Sequence, residues 1–320
     1  MTYLASIGQD VAKCVELIIA THWHDDHISG LAKAVEACRS AKFCCSAAMT
    51  GSEFLGMVAV YQSRPGTSFG PGVREIDATV KAMDDRAPIK RALQNVPLLS
   101  FPAAQMAHGR PCVITALSPS DLQLQKSLDE IAGLIPGVQT KRRAVPQNPN
   151  HLTVVTWVEV GDLRILLGGD LEETADPNTG WSVIVASTER PQGKAAIFKI
   201  PHHGSRNGHS DGVWADMLAR NPFAILAPWN RSSRLPTTGD VERILNHTQE
   251  AYSTAPVRVT RSHMPRSPAV TRQLREMGVS LRKPEPATGA IRLRNAGPQN
   301  WDRWAVDLRD EACHLSKVFQ

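Results

Sequence analysis

Aromatic residues are scarce in this chain: phenylalanine, tryptophan and tyrosine make up 5% of its 320 residues. That is too few to argue for a nucleic-acid platform built by stacking bases on successive rings. Cysteine is sparse as well. Cys14, Cys38, Cys44, Cys45, Cys112 and Cys313 include no C-x-x-C pair, which argues against a zinc ribbon or a thioredoxin-like redox motif. Cys44 and Cys45, adjacent in a strand-like run, should point to opposite faces. The thiols read as reduced, small apolar side chains of a cytoplasmic protein. No run of 18 apolar residues exists, so no membrane span is expected. The opening MTYLASIGQDVAKC lacks the basic-then-apolar order of a secretory leader. The charge imbalance is small, 36 Lys and Arg against 31 Asp and Glu, with a pI near 9. It permits an anionic substrate without demanding one, and reads first as solvated surface.

What is present is a globular composition, 42% hydrophobic, long enough for one large domain or two modest ones. Short apolar runs alternate with helical spacing, which predicts an α/β protein. Residues 16–20 (ELIIA), 43–46, 113–117, 195–200 and 223–227 read as strands. Residues 28–38, a stretch near 51–61, the charged segment 73–93, and residues 122–134 and 238–246 read as helices. Ser118 or Ser120 is placed to cap the helix at 122, and residues 137–150 form a polar loop. LTVVTWVEV and LRILLGG, joined at Gly161-Asp162, form the clearest hairpin. A helix near 268–277 and two strand-like runs, AIRLR and WAVDL, close the chain.

The densest chemistry lies in THWHDDHISG, residues 21–30. In extended chain, residues two apart share a face, so His22 and His24 project together from the end of the ELIIA strand. Asp26 and His27 follow where the chain turns into a helix. Imidazoles and carboxylates are the usual ligands of zinc and related ions. The spacing gives two half-sites that need further donors from elsewhere.

These residues resemble a known family. H-W-H-D-D-H fits the H-x-H-x-D-H signature of the metallo-β-lactamase fold hydrolases, with Trp23 and Asp25 at the free positions. LLGGD, ending at Asp170, resembles the strand-end aspartate that bridges two metals there. KIPHHGS, Lys199 to Ser205, is similar to the segment of the ComEC-type subgroup. Asn150 and Thr153 resemble the N-x-x-S that opens its hairpin. The resemblance implies an αββα sandwich over residues 1–250, with residues 251–320 as an extension packed on the core. It also implies a block of strands before the first motif. Only some 20 residues precede it here, so the expectation is a fold truncated at its N-terminus.

The implied ligands are His22, His24, Asp26, His27, Asp170 and His203, holding two divalent ions, zinc or alternatively manganese. Asp26 is the implied catalytic residue, ligating a metal and orienting a bridging hydroxide. His202, Ser205, Arg206 and His151 are implied as supporting or substrate-facing groups, while His108 is a weaker alternative to His151. The expected function is a metal-dependent hydrolase of a phosphodiester, with an anionic partner such as nucleic acid. The tail agrees: Arg258, Arg261, Arg266, Arg272, Arg275, Arg282, Lys283, Arg292 and Arg294 outnumber Glu276 and Glu285. Two alternatives stay open: a hydrolase of a lactone, thioester or β-lactam, and a protein that binds metal without turnover. No membrane partner is expected, and protein partners are not specified by the sequence.

Overall fold

The computed structural model describes residues 2–51, 54, 56, 71–83, 86–106, 109–134, 148–231, 233–257, 272–273, 276–277, 289–295 and 304–319. The chain forms two compact units, residues 1–202 with 206–222 and residues 203–205 with 223–320. It is an α/β protein with a mixed sheet.

In the first unit, two short helices, α1 (Thr2–Ser6) and α2 (Val11–Cys14), precede strand β1 (Leu17–Ala20). Helices α3 (Asp25–Ile28) and α4 (Leu31–Ala37) follow, then β2 (Lys42–Ser46), α5 (Pro71–Ala82) and β3 (Lys90–Ala92). The three strands form a parallel sheet in the order β1-β2-β3. Parallel strands are covered on both faces, and residue alternation shows how. Ala20, Phe43 and Cys45 join Ile28, Val35, Ile76 and Met83 in one core, under α3, α4 and α5. Cys44, with Leu17 and Ile19 against it, belongs to a second core with Leu98, Ala116 and Val154. The adjacent cysteines thus face opposite ways, as strand geometry requires.

That second core is closed by another sheet. Its strands in this unit are β4 (Val96–Phe101), β5 (Cys112–Ala116), β6 (Thr156–Val160), β7 (Leu163–Leu167) and β8 (Ala195–Lys199). Pairing is antiparallel from β4 to β7 and parallel between β7 and β8. The hairpin β6–β7 turns at Gly161-Asp162 as expected. Helix α6 (Asp121–Leu134) is capped by Ser120, whose Oγ accepts from the amide of Gln123 at 3.3 Å. Ser118 instead ties chain segments together: its Oγ donates to the Thr153 carbonyl at 2.6 Å and accepts from the Val155 amide at 2.8 Å. Helix α7 (Gly180–Ala186), not read from the sequence, buries Trp181 against Phe198 of β8.

One helix is shorter than its pattern suggested. The charged segment 73–93 is helical only to Ala82, and Lys90–Ala92 pairs with β2. Pro88 gives a physical reason, because it disfavours helix in the residue before it and lacks the amide a helix needs.

Strand β9 (Leu218–Leu226) runs out of the first unit into the second. In the second unit it pairs in parallel with β10 (Ala251–Ser253), across helix α8 (Thr238–His247). Two further strands, β11 (Ala290–Asn295) and β12 (Trp304–Arg309), form an antiparallel hairpin, and β13 (Cys313–His314) pairs with β10. On the hairpin, Arg292 and Arg309 both contact the Asp307 carboxylate, at 2.6 and 3.1 Å.

Several expectations fall outside the described residues. They are most of the helix at 51–61, most of the loop at 137–150, His108, most of the helix at 268–277, and Arg258, Arg261, Arg266, Arg275, Arg282, Lys283 and Glu285. Among the described residues, no helix is long and apolar enough to cross a membrane.

Candidate metal centre

The histidine-rich stretch leaves the end of β1 in extended chain and enters α3 at His24. It is anchored where the Thr21 carbonyl accepts from the Val154 amide at 3.0 Å. The two positions left open by the motif have structural uses. Trp23 packs on Phe54, ring centroids 5.2 Å apart. The Asp25 carboxylate accepts from the Gly72 amide at 2.7 Å, in the first turn of α5. Glycine is required there, since a Cβ on residue 72 would lie 1.9 Å from the Trp23 carbonyl oxygen.

The remaining residues converge. The ring of His22 lies 4.9 Å from that of His24 and 4.4 Å from that of His27. His27 Nε2 is 3.0 Å from Asp170 Oδ2 and 3.3 Å from Asp26 Oδ2. Asp26, His27 and Asp170 each offer a ligand atom within 4.8 Å of the others, a partly buried group able to hold a metal ion.

Asp170 reaches this point because β7 ends in two glycines. Gly169 takes φ +51°, and a Cβ there would stand 2.3 Å from Thr153 Cγ2. The turn is pinned on β8, where the Gly168 amide donates to the Lys199 carbonyl at 3.1 Å. Asp170 is 1% exposed, and a carboxylate so buried must be partnered. Lys199 supplies part of the charge, with Nζ 3.3 Å from Asp170 Oδ1 and 2.6 Å from the Gly169 carbonyl. Lys199 was not singled out in the sequence, although its place at the end of a strand that runs into PHHGS was a usable signal.

The electrostatics suit a cation. Burial holds the pKa of His22 well below its ordinary value, reinforced by the neighbouring His27. Burial also lowers that of His24, against the pull of Asp26 and Asp170. Both imidazoles are therefore neutral near pH 7, the form that ligates metal. His22 Nδ1 lies 3.1 Å from Thr21 Oγ1, while its Nε2 is buried with no hydrogen-bond partner among the described residues. An orphaned buried nitrogen is costly, and a metal at Nε2 would satisfy it. His27 behaves differently: burial opposes a charge on it, but contacts with Asp170 and Asp26 outweigh burial and push its pKa up to about 9. A proton on His27 here balances carboxylates that a metal ion would balance when bound. The donor set thus fits a divalent ion of the zinc type.

The other expected residues are distributed as follows. His203, in the second unit, has Nδ1 2.9 Å from the Ala227 carbonyl and its ring 5.5 Å from that of Trp229. A carbonyl only accepts, so Nδ1 carries a proton, as in metal-binding histidines braced by a backbone carbonyl. His202, in the first unit, turns to Glu172 and Asn207. His151 stands 3.8 Å from Glu172, its side chain 37% exposed. Ser205 is half-buried, and Arg206 is exposed at the start of the turn Arg206–Gly208. Asn150 and Thr153 are both buried. Glu172 was missed, and its spacing of two from Asp170 was the only available signal. No protein-family model and no curated protein matches the chain.

Proposed function

We propose that the protein is a metal-dependent hydrolase of the metallo-β-lactamase type, acting on a phosphodiester. The observation that carries the reading is the convergence of Asp26, His27 and Asp170 beside the buried, neutral imidazoles of His22 and His24. His22, His24, Asp26, His27, Asp170 and, by its place in HHGS and its braced Nδ1, His203 would hold two divalent ions, zinc by donor type. When bound, such ions lower the pKa of water to about 7 and supply a nucleophile at neutral pH.

The chain's own residues do the rest. Asp26, its side chain 22% exposed, would both help hold a metal and orient the attacking water through its carboxylate. Lys199 offsets the charge of Asp170 and keeps its Oδ1 turned to the ammonium. The layering, helices over one sheet and a second sheet beneath it, is compatible with the αββα sandwich of that family. The phosphodiester assignment rests on the likeness of KIPHHGS to the ComEC-type subgroup and on the basic tail.

The test is metal analysis of the purified protein, together with turnover of bis(p-nitrophenyl) phosphate, a lactone and a β-lactam, with and without added zinc or manganese. The expected result is bound metal and metal-dependent phosphodiester cleavage. Turnover of the lactone or β-lactam alone would reassign the substrate to a carbonyl compound. Bound metal with no turnover would leave a metal-binding protein, and absence of metal would remove the reading altogether.

A further inference from the structure

The hairpin β11–β12 in the second unit has two unlike faces. Side chains alternate along a strand, and residues directly paired across an antiparallel ladder share a face. Ile291 pairs with Leu308, Leu293 with Val306 and Asn295 with Trp304, which gathers five apolar side chains on one side. Trp304 anchors that side, its ring 5.5 Å from that of Phe223. Ala290 pairs with Arg309, Arg292 with Asp307 and Arg294 with Ala305, so the other side carries three arginines against one aspartate.

Arg292 reaches Asp307 across the ladder at 2.6 Å, and Arg309 reaches it along β12 at 3.1 Å. One carboxylate cannot neutralise both guanidiniums, and the Arg309 side chain is 43% exposed. Arg294 is exposed and makes no ion pair among the described residues. Arg292 and Arg294, two residues apart on one strand, are spaced by roughly 7 Å. At that distance like charges repel, and an anionic partner would offset the repulsion.

The partner's chemistry follows from what else the face holds. A guanidinium grips a phosphate through two parallel hydrogen bonds. Ala290 and Ala305, both exposed, are too small to obstruct a chain lying across the ribbon. They offer no ring on which a base could stack. They also offer no large apolar side chain to sink into a bilayer beside the charges. The face therefore suits a row of phosphates recognised through charge alone.

We propose that the face formed by Arg292, Arg294 and Arg309 binds the phosphate backbone of nucleic acid, without regard to base sequence. That this nucleic acid is the substrate rests on the hydrolase reading above, whereas the binding itself does not.

The experiment measures binding of fluorescein-labelled single-stranded DNA to the full chain, using oligothymidine and a mixed-sequence strand of equal length. EDTA is present so that nothing is cleaved, and salt is raised from about 50 to about 200 mM. Both strands should bind alike, and binding should weaken as salt rises. Arg294→Ala and Arg309→Ala should each weaken it several-fold at low salt. Each should also lower the slope of log affinity against log salt by about 0.7, the value per neutralised phosphate on a single strand. Arg294→Lys should keep the slope, because an ammonium still neutralises a phosphate. Arg39→Ala, which removes an exposed arginine of the first unit, should change nothing.

An unchanged slope in Arg294→Ala or Arg309→Ala, an equal loss in Arg39→Ala, or no binding by the unaltered protein would overturn the proposal. A loss that Arg294→Lys does not restore would be one of fold and not of charge, and would overturn it too. So would variants that lose binding to phosphatidylserine vesicles but not to DNA. DNA that is bound in EDTA yet left uncleaved when zinc or manganese is supplied would fail the hydrolase reading and leave this surface standing.

Discussion

The carboxylate of Asp25 accepts a hydrogen bond from the Gly72 amide at the start of α5, while that of Asp26, one residue on, faces His27 at 3.3 Å. Adjacent aspartates therefore have separable roles, and substitution should divide them. Asp25→Ala removes an acceptor at a helix N-terminus, which costs about 1 kcal/mol. It should lower the thermal midpoint slightly and leave metal content and turnover intact. Asp26→Ala should do the reverse: a near-normal midpoint when both proteins are compared free of metal, and, with metal supplied, a rate reduced by about 10²–10⁴-fold, as for loss of a positioned acid–base group. Thermal unfolding and steady-state kinetics on the two proteins check both halves. Equal effects of the two would remove the distinction between the free and ligating positions of the motif. From sequence, H-x-H-x-D-H named His22, His24, Asp26 and His27, which lie close together, and LLGGD named Asp170; spacing of two along an extended chain accounts only for the shared facing of His22 and His24. The consecutive His202 and His203 were separated by resemblance alone, with His203 as the expected ligand. The partners that tell them apart, Glu172 for one and Ala227 for the other, come from segments distant in the chain.

Helix α8 opens on a reciprocal cap. Thr237 Oγ1 accepts from the Asp240 amide at 3.2 Å, and Asp240 Oδ2 accepts from the Thr237 amide at 3.0 Å and hydroxyl at 2.7 Å. Arg243 joins Asp240 at 2.6 Å and also donates to the Gly204 carbonyl at 2.8 Å, so the cap braces the HHGS segment within the second unit. Burial would raise the pKa of Asp240, but the bonds from Thr237 and Arg243 outweigh it and hold the carboxyl below its ordinary value. The sign follows from linkage. A depressed folded-state pKa gives stability that is fully present above the unfolded value, about 3.9 for aspartate, and lost as pH falls through the folded value. Asp240→Asn should thus cost about 1 kcal/mol near neutral pH, and the difference from the unaltered protein should shrink below about pH 4. Urea unfolding at several pH values measures this, and a pH-independent difference would show that the carboxylate charge is not the cause. At this scale, elements with clean periodicity were legible, such as the β6–β7 hairpin and α8 itself. Strand β4 was not, because Pro97 breaks its pattern beside a register shift. The three-residue β10 is too short to carry any period, and is held by pairing to β9 and β13.

For the molecule as a whole, a metal that binds only the folded state must raise its stability. Unfolding scatters His22, His24, Asp26, His27 and Asp170, which only the folded first unit brings together. At a free metal concentration a hundred times the dissociation constant, the gain is about 2.7 kcal/mol, or roughly 5 °C in thermal midpoint for a chain of this size. Stripping with a chelator should lower the midpoint by about that much, and zinc should restore it more fully than manganese, since imidazole-rich sites favour zinc. Thiols are the obvious competing ligands for zinc. Burial pushes the Cys44 and Cys45 thiols up to about 12, so they stay protonated and poor ligands at neutral pH. Cys14 is exposed, and Cys14→Ser removes it without touching the donor cluster. Differential scanning calorimetry of the Cys14→Ser protein should therefore keep the whole metal-induced rise. Asp170→Asn in the same background should abolish most of it, because a neutral amide cannot replace the buried carboxylate at the meeting point of His27 and Lys199. A rise that survives Asp170→Asn would place the metal elsewhere in the chain, and a midpoint indifferent to both chelator and zinc would remove the metal centre altogether.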